Sequence, residues 1–214
     1  MDPASLYLRT FFGARPFASQ ELDSLAERMG VSPSQSPNPS ERYFVTGARS
    51  VTAASLGNKV LFGRRYYERL SGDERLAVAA HEFAHMMDHD DGRSRVASLT
   101  LGLSLVLTFA ALVAFHSLLL AESAFCASFL AMIRILSSRE LERGRLQELR
   151  CDSLAASLVG GGPMISSIRL AESMEARRSG RGLLRRSRAD HDPAFEERTR
   201  AIMATCVASQ RRTG

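Results

Sequence analysis

The sequence predicts a mainly helical α+β domain that carries a small β-sheet and an inserted transmembrane helical hairpin. Three observations predict it. A capping box followed by an apolar stripe marks a helix that starts at Ser71. Three short β-type stretches lie just before it, between residues 43 and 62. The run Val96–Leu136, about 40 residues, carries only Glu122 and Arg134 as charges. With 214 residues in all, enough chain remains outside the apolar run to bury a real core, so one domain interrupted by a hairpin is expected. The divisions are 1–95, 96–136 and 137–214.

In chain order, Leu6–Phe12 is too short for a secretory leader and is broken by Arg9. A helix is expected near Ser19–Met29. Val31–Glu41 is a Ser/Pro-rich loop, because Pro33, Pro37 and Pro39 oppose regular structure. Tyr43–Thr46, Ser50–Ala54 and Lys59–Phe62 read as strands divided by Gly47 and Gly57. They form either a structural meander or an edge on which an extended peptide can pair through its main chain. Ser71-Gly72-Asp73-Glu74 starts the next helix, Leu76, Ala79, Ala80, Phe83 and Met87 give it an apolar stripe, and Asp90-Asp91-Gly92 supplies a stop. Ser167–Arg177 and Phe195–Ala208 read as the last helices, and no internal repeat is present.

The helix after Ser71 carries His81-Glu82-Phe83-Ala84-His85. Two imidazoles four residues apart share one helix face and can hold one metal ion, most simply Zn2+. Glu82 projects about 100° round the helix from His81, so it can reach a bound water as general base without being a ligand. A chance match on an amphipathic helix is the alternative. The local grammar opposes it, since two histidines beside a buried stripe need partners and metal ligation satisfies both.

A catalytic zinc wants three protein ligands and leaves one position open. The best candidate for the third is Glu148, which shares a helix face with Asp152 at i and i+4 in Glu148-Leu149-Arg150-Cys151-Asp152. Asp152 then suits the outer ring N–H of a ligating histidine. Taken without the first motif, both acids read as solvated charges beside Arg145 and Arg150.

Val96–Leu136 is long enough for two crossings of a hydrocarbon core of about 30 Å. A buried soluble hairpin is the alternative. Arg93 and Arg95 precede the run, Arg134, Arg139 and Arg143 close or follow it, and the turn around His116–Ser123 has no Lys or Arg. Positive flanks stay inside, so the expected location is a cell membrane, with two spans and the rest of the chain on the cytoplasmic side.

With these motifs the chain resembles the HtpX-like and CAAX-endopeptidase family of membrane zinc metallopeptidases, over roughly Arg42 to Thr205. The resemblance rests on HEFAH at 81–85, on ELRCD at 148–152, and on His191-Asp192-Pro193-Ala194-Phe195-Glu196-Glu197-Arg198, which is similar to that family's C-terminal His-x-Pro-x-x-x-Glu-Arg segment. The resemblance implies His81, His85 and Glu148 as zinc ligands, Glu82 as general base, Asp152 behind a ligand, and His191 as a substrate or oxyanion contact. It implies an endopeptidase acting on membrane proteins or misfolded segments, with the lipid bilayer as its other partner. The chain departs from the family at Thr52-Ala53-Ala54-Ser55, where an Asn-Ala-x-Ala stretch is common. A membrane-anchored binding or scaffold protein with structural zinc is the competing class, and the presence of Glu82 argues against it, because a structural site has no use for a base.

The net charge of +5 is carried almost entirely by arginine, with Lys59 the single lysine. Arg177, Arg178, Arg181, Arg185, Arg186 and Arg188 cluster around glycines, yet no interleaved aromatics or nucleic-acid motif accompany them, so no nucleic acid is expected as partner. Cys126, Cys151 and Cys206 are odd in number and far apart, so neither a disulfide framework nor a cysteine metal site is implied. Cys151 is expected as a small core filler.

Overall fold

The fold is seen in a computed structural model. It describes residues 3–31, 41–47, 52–87, 142–178 and 193–213. The chain divides into two compact units, Met1–Met87 with Leu146–Gly214, and Asp88–Arg145. The hairpin expected over Val96–Leu136 lies outside the described residues, as do the stop at Asp90–Gly92, His191, Cys126 and most of the arginine cluster. Among the described residues no helix is long and apolar enough to cross a membrane.

Helix α1 (Pro3–Phe12) leads into strand β1 (Arg15–Phe17) and helix α2 (Gln20–Arg28). Strands β2 (Tyr43–Thr46), β3 (Ala53–Leu56) and β4 (Lys59–Gly63) follow, then the short helix α3 (Arg64–Tyr67) and helix α4 (Gly72–Met87). Helix α5 is described over 142–159, α6 spans Gly161–Arg178 and α7 spans Phe195–Thr213. This is a mainly helical α+β arrangement with one small mixed sheet of order β1-β2-β4-β3. Strand β2 runs parallel to β4, while both outer pairs are antiparallel.

Alternation along the strands sorts side chains to two faces. Tyr43, Val60 and Phe62 join the main core with Leu22, Leu25, Ala80 and Phe83, whereas Phe44 and Leu61 pack with Leu8 and Ala14. Helix α1 therefore covers one face of the sheet, and α2 and α4 cover the other. The Arg42 guanidinium closes the edge of the main core, stacked 5.5 Å from the Phe83 ring and donating to the Val31 carbonyl at 3.0 Å.

Two boundaries moved for physical reasons. Strand β3 starts at Ala53, later than expected, because a two-residue turn sets its register. Leu56 pairs with Lys59, and Gly57 takes a positive φ of 61° that a side chain would strain. Helix α6 begins at Gly161, six residues before the expected Ser167. Pro163 sits in its first turn, where no N–H is needed, and Gly161 lets the helix press on α7: a Cβ there would stand 2.8 Å from the Cys206 Sγ. The capping box is present as expected, with the Ser71 N–H donating to Glu74 Oε2 at 2.7 Å and the Glu74 N–H to Ser71 Oγ at 3.3 Å. The Glu74 carboxylate also accepts from Ser166, and Tyr66 donates to the Ser167 carbonyl at 2.9 Å. The start of α4 is thus fastened to α6, which fixes how far along its axis the two histidines stand.

Candidate metal centre

Helix α4 buries Ala77–Ala84 without a break, so His81 and Glu82 are carried into the core while His85, one turn on, is only partly buried. Helix α5 brings Glu148 and Asp152 to the same place. Their i, i+4 spacing puts both carboxylates on the face toward α4, one over each ring nitrogen of His81. Asp152 Oδ1 lies 2.8 Å from His81 Nδ1, and Glu148 Oε2 lies 3.3 Å from His81 Nε2. Glu148 Oε1 is 3.2 Å from His85 Nε2, and the two histidine Nε2 atoms are 3.0 Å apart.

These distances test whether a metal fits. Two imidazole nitrogens and one carboxylate converge, with donor atoms all within 4.8 Å of one another. Tetrahedral ligands held at about 2.0–2.1 Å from a zinc ion are separated by about 3.3 Å. The two Nε2 atoms, 3.0 Å apart, are near that spacing, and the Glu148 carboxylate faces both, with Oε1 3.2 Å from His85 and Oε2 3.3 Å from His81. Asp152 occupies Nδ1 of His81 and so leaves Nε2 as the ligating atom. His81, His85 and Glu148 therefore fit a divalent cation.

Asp152 is fully buried and is itself held from behind by Arg198 on α7, whose Nε donates at 2.5 Å and whose Nη2 donates at 2.7 Å in a two-pronged pair. The same guanidinium comes within 3.7 Å of Glu148 Oε2. Arg198 belongs to the C-terminal segment 191–198, and no local pattern in the sequence gives it a role. The signal available was its place in that segment, two residues beyond Glu196, but its target lies 46 positions back in the chain. Cys151, between the two acids, turns away from them into the main core, as expected of a filler.

Electrostatics follow from this packing. Burial disfavours a charged His81, yet the Asp152 and Glu148 carboxylates outweigh it and push its pKa up to about 10. Burial alone would raise Glu148, but hydrogen bonds from His81 and His85 hold it well below the usual carboxylate range. Asp152 is likewise held low, against burial, by Arg198 and His81. Glu82 goes the other way. Burial pushes its pKa up, opposed by the two histidines and by a hydrogen bond from Ser55 on β3. A carboxylate shifted toward neutrality is better matched to proton transfer than an ordinary one.

Strand β3, which carries Ser55, is one of the two edge strands of the sheet and packs against α4. His191 lies outside the described residues; its segment re-enters them at Pro193, five residues before Arg198. No curated protein and no solved structure matches this chain. The sequence model of Peptidase family M48 does match it, over residues 16–179. That match runs through β1, the sheet, the histidine helix and the acidic helix, and covers well over half of the chain. With a donor set built for a divalent cation at its centre, the chain belongs to Peptidase family M48 and is a metallopeptidase.

Proposed function

We propose that this chain is a zinc-dependent endopeptidase of the HtpX-like kind, anchored in a cell membrane by Val96–Leu136, with its catalytic domain facing the cytoplasm. The observation that carries the chemistry is the convergence of His81, His85 and Glu148 beside a buried Glu82. Zinc held by these three residues would supply Lewis acidity and a water acidified to a pKa of about 7. Glu82 accepts the proton from the attacking water and passes it to the leaving amine. Asp152 keeps the His81 ring in one tautomer and orientation, and Arg198 keeps Asp152 charged and in place.

An extended polypeptide laid along the outer edge of β3 would pair through its main chain, which demands little of its sequence. That suits membrane proteins or misfolded segments as substrates. His191 is assigned to the developing oxyanion, on the resemblance of its segment.

The test compares metal content and cleavage of an unfolded polypeptide by detergent-purified protein. His81→Ala, His85→Ala and Glu148→Ala should lose the metal. Glu82→Gln should keep it and lose about 10²–10⁴-fold in kcat, the usual worth of a general base. Full metal content in Glu148→Ala removes it from the ligand set. Native cleavage by Glu82→Gln rejects the mechanism, and a metal-loaded wild type that cleaves nothing leaves the non-catalytic scaffold.

A further inference from the structure

Helix α5 has two opposite faces. Leu146 and Arg150 each stand two residues from Glu148, and Leu154 stands two residues from Asp152, so each points about 160° away from the acid beside it. The acids face His81, and the other side looks out of the fold. There Leu146 and Leu154 are exposed, and with Leu149, Arg150, Ser153 and Thr205 of α7 they line an open groove. A single surface leucine needs no explanation, but three along one groove mark a contact surface. Two further observations say what meets it. Only residues 137–141 separate α5 from Leu136, the end of the apolar run, and fully extended they bridge no more than about 20 Å. Among the described residues of α5 the exposed charges are Arg143, Arg145 and Arg150 against Glu142, a surplus that suits an anionic surface.

We propose that this face of α5 rests in the headgroup region of an anionic bilayer, with Leu146, Leu149 and Leu154 at the acyl boundary and Arg150 reaching back to lipid phosphates. This rests on the membrane-anchored peptidase reading above. Helix α5 then lies in the plane of the interface, as amphipathic helices with arginine beside leucine do. Glu148 and Asp152 project from its opposite side, so the metal centre stands about one helix diameter, roughly 10 Å, from the lipid. An extended chain rises about 3.3 Å per residue, and the peptide bonds brought level with the metal are those in the first few residues beyond a membrane span. The substrate class is therefore the juxtamembrane stretch of a membrane protein, chosen by its height above the bilayer more than by its sequence.

The chain has no tryptophan, so Leu154→Trp and Met203→Trp each introduce a single reporter, the first in the groove and the second at an exposed position of α7 outside it. Each full-length variant is reconstituted into vesicles of phosphatidylcholine and phosphatidylglycerol brominated on their acyl chains. Bromine should quench Leu154→Trp at least about twofold more than Met203→Trp. In a second arm, with rates normalised to bound metal, Leu146→Glu combined with Leu154→Glu should slow cleavage of a stretch placed directly after a membrane span about tenfold and leave cleavage of a soluble unfolded polypeptide native. Equal quenching of the two reporters, or an equal loss on both substrates, overturns the docking. A groove reporter shielded from bromine in a protein that sediments as a dimer gives the groove to a second copy and overturns it as well. Wild-type protein that does not float with the vesicles, or that holds metal and cleaves neither substrate, overturns the reading on which this rests, whereas active, floating protein with an unquenched Leu154→Trp overturns this inference alone.

Discussion

Metal binding at this site should release a proton, and the donor should be His81. Its pKa in the metal-free fold stands at about 10 against an ordinary 6.5, because two carboxylates at 2.8 and 3.3 Å outweigh burial. At pH 7.5 the ring is therefore protonated before metal arrives, and that proton must leave for Nε2 to become a ligand. Displacing it costs roughly 3 kcal/mol at that pH, from about 1.4 kcal/mol per pH unit below the pKa. Affinity should rise about tenfold per pH unit from pH 6.5 until the ring titrates near pH 10. Stability of the metal-free fold runs in the opposite sense. The folded pKa lies above the unfolded one, so the His81 contribution is complete below about pH 6.5 and is lost as the pH rises through about 10. Calorimetric titration with zinc at pH 7.5, in buffers of different ionisation enthalpy, counts the protons. The control is Asp152→Asn, which removes one of the two charges that hold the proton but cannot alter the ionisation of a bound water directly. Fewer protons should be released by that variant. Equal proton counts in both proteins, or an affinity flat between pH 6.5 and 9, would refute the reasoning.

Arg198→Met should leave the fully buried Asp152 charge without its two-pronged partner, costing about 3 kcal/mol or roughly 6–12 °C in melting temperature, and should weaken metal binding about tenfold. A native melting temperature together with native affinity would make the pair inconsequential. For the membrane segment, a cysteine probe at Ser117→Cys should react with an impermeant maleimide only from the face opposite the catalytic domain. Reaction from the same face as a probe in that domain, or solubility without detergent, rejects the two-span topology.

How much of this was legible in the sequence depended on how local each cause is. The capping box at Ser71 and Glu74 closes within four residues, and its helix appears as read. Tyr43–Thr46 appears with the expected bounds, since both pleat faces are marked by Tyr43, Phe44 and Val45. The pairing of Glu148 with Asp152 needed only helix period, and the structure brings both against His81. What was missed depends on distant partners. Strand β1 has three residues with Pro16 at its centre, a composition that opposes a strand anywhere but on an edge, and only β2 makes it one. Helix α1, read only as too short for a leader, is held by Leu8 packing on Phe44 and Leu61. The partnership of Arg198 with Asp152 joins segments that no local period connects.

Charge balance ties the separate features of the site together. Glu82, Glu148 and Asp152 bring three carboxylates into a space where Arg198 is the partner cation drawn closest, and uncompensated charge in such surroundings costs several kcal/mol per ion. Two negative charges are left over among these four groups. Protons can meet the deficit: the neighbouring carboxylates push His81 up, while Glu82 is raised first by burial, with Glu148 adding to it. A divalent cation held by His81, His85 and Glu148 would meet it without protons and would leave Glu82 free to act as a base. The same acids that raise His81 thus favour a doubly charged ion over a singly charged one, Glu148 by facing it directly and Asp152 through the ring of His81, while Arg198 acts only by holding Asp152 in place.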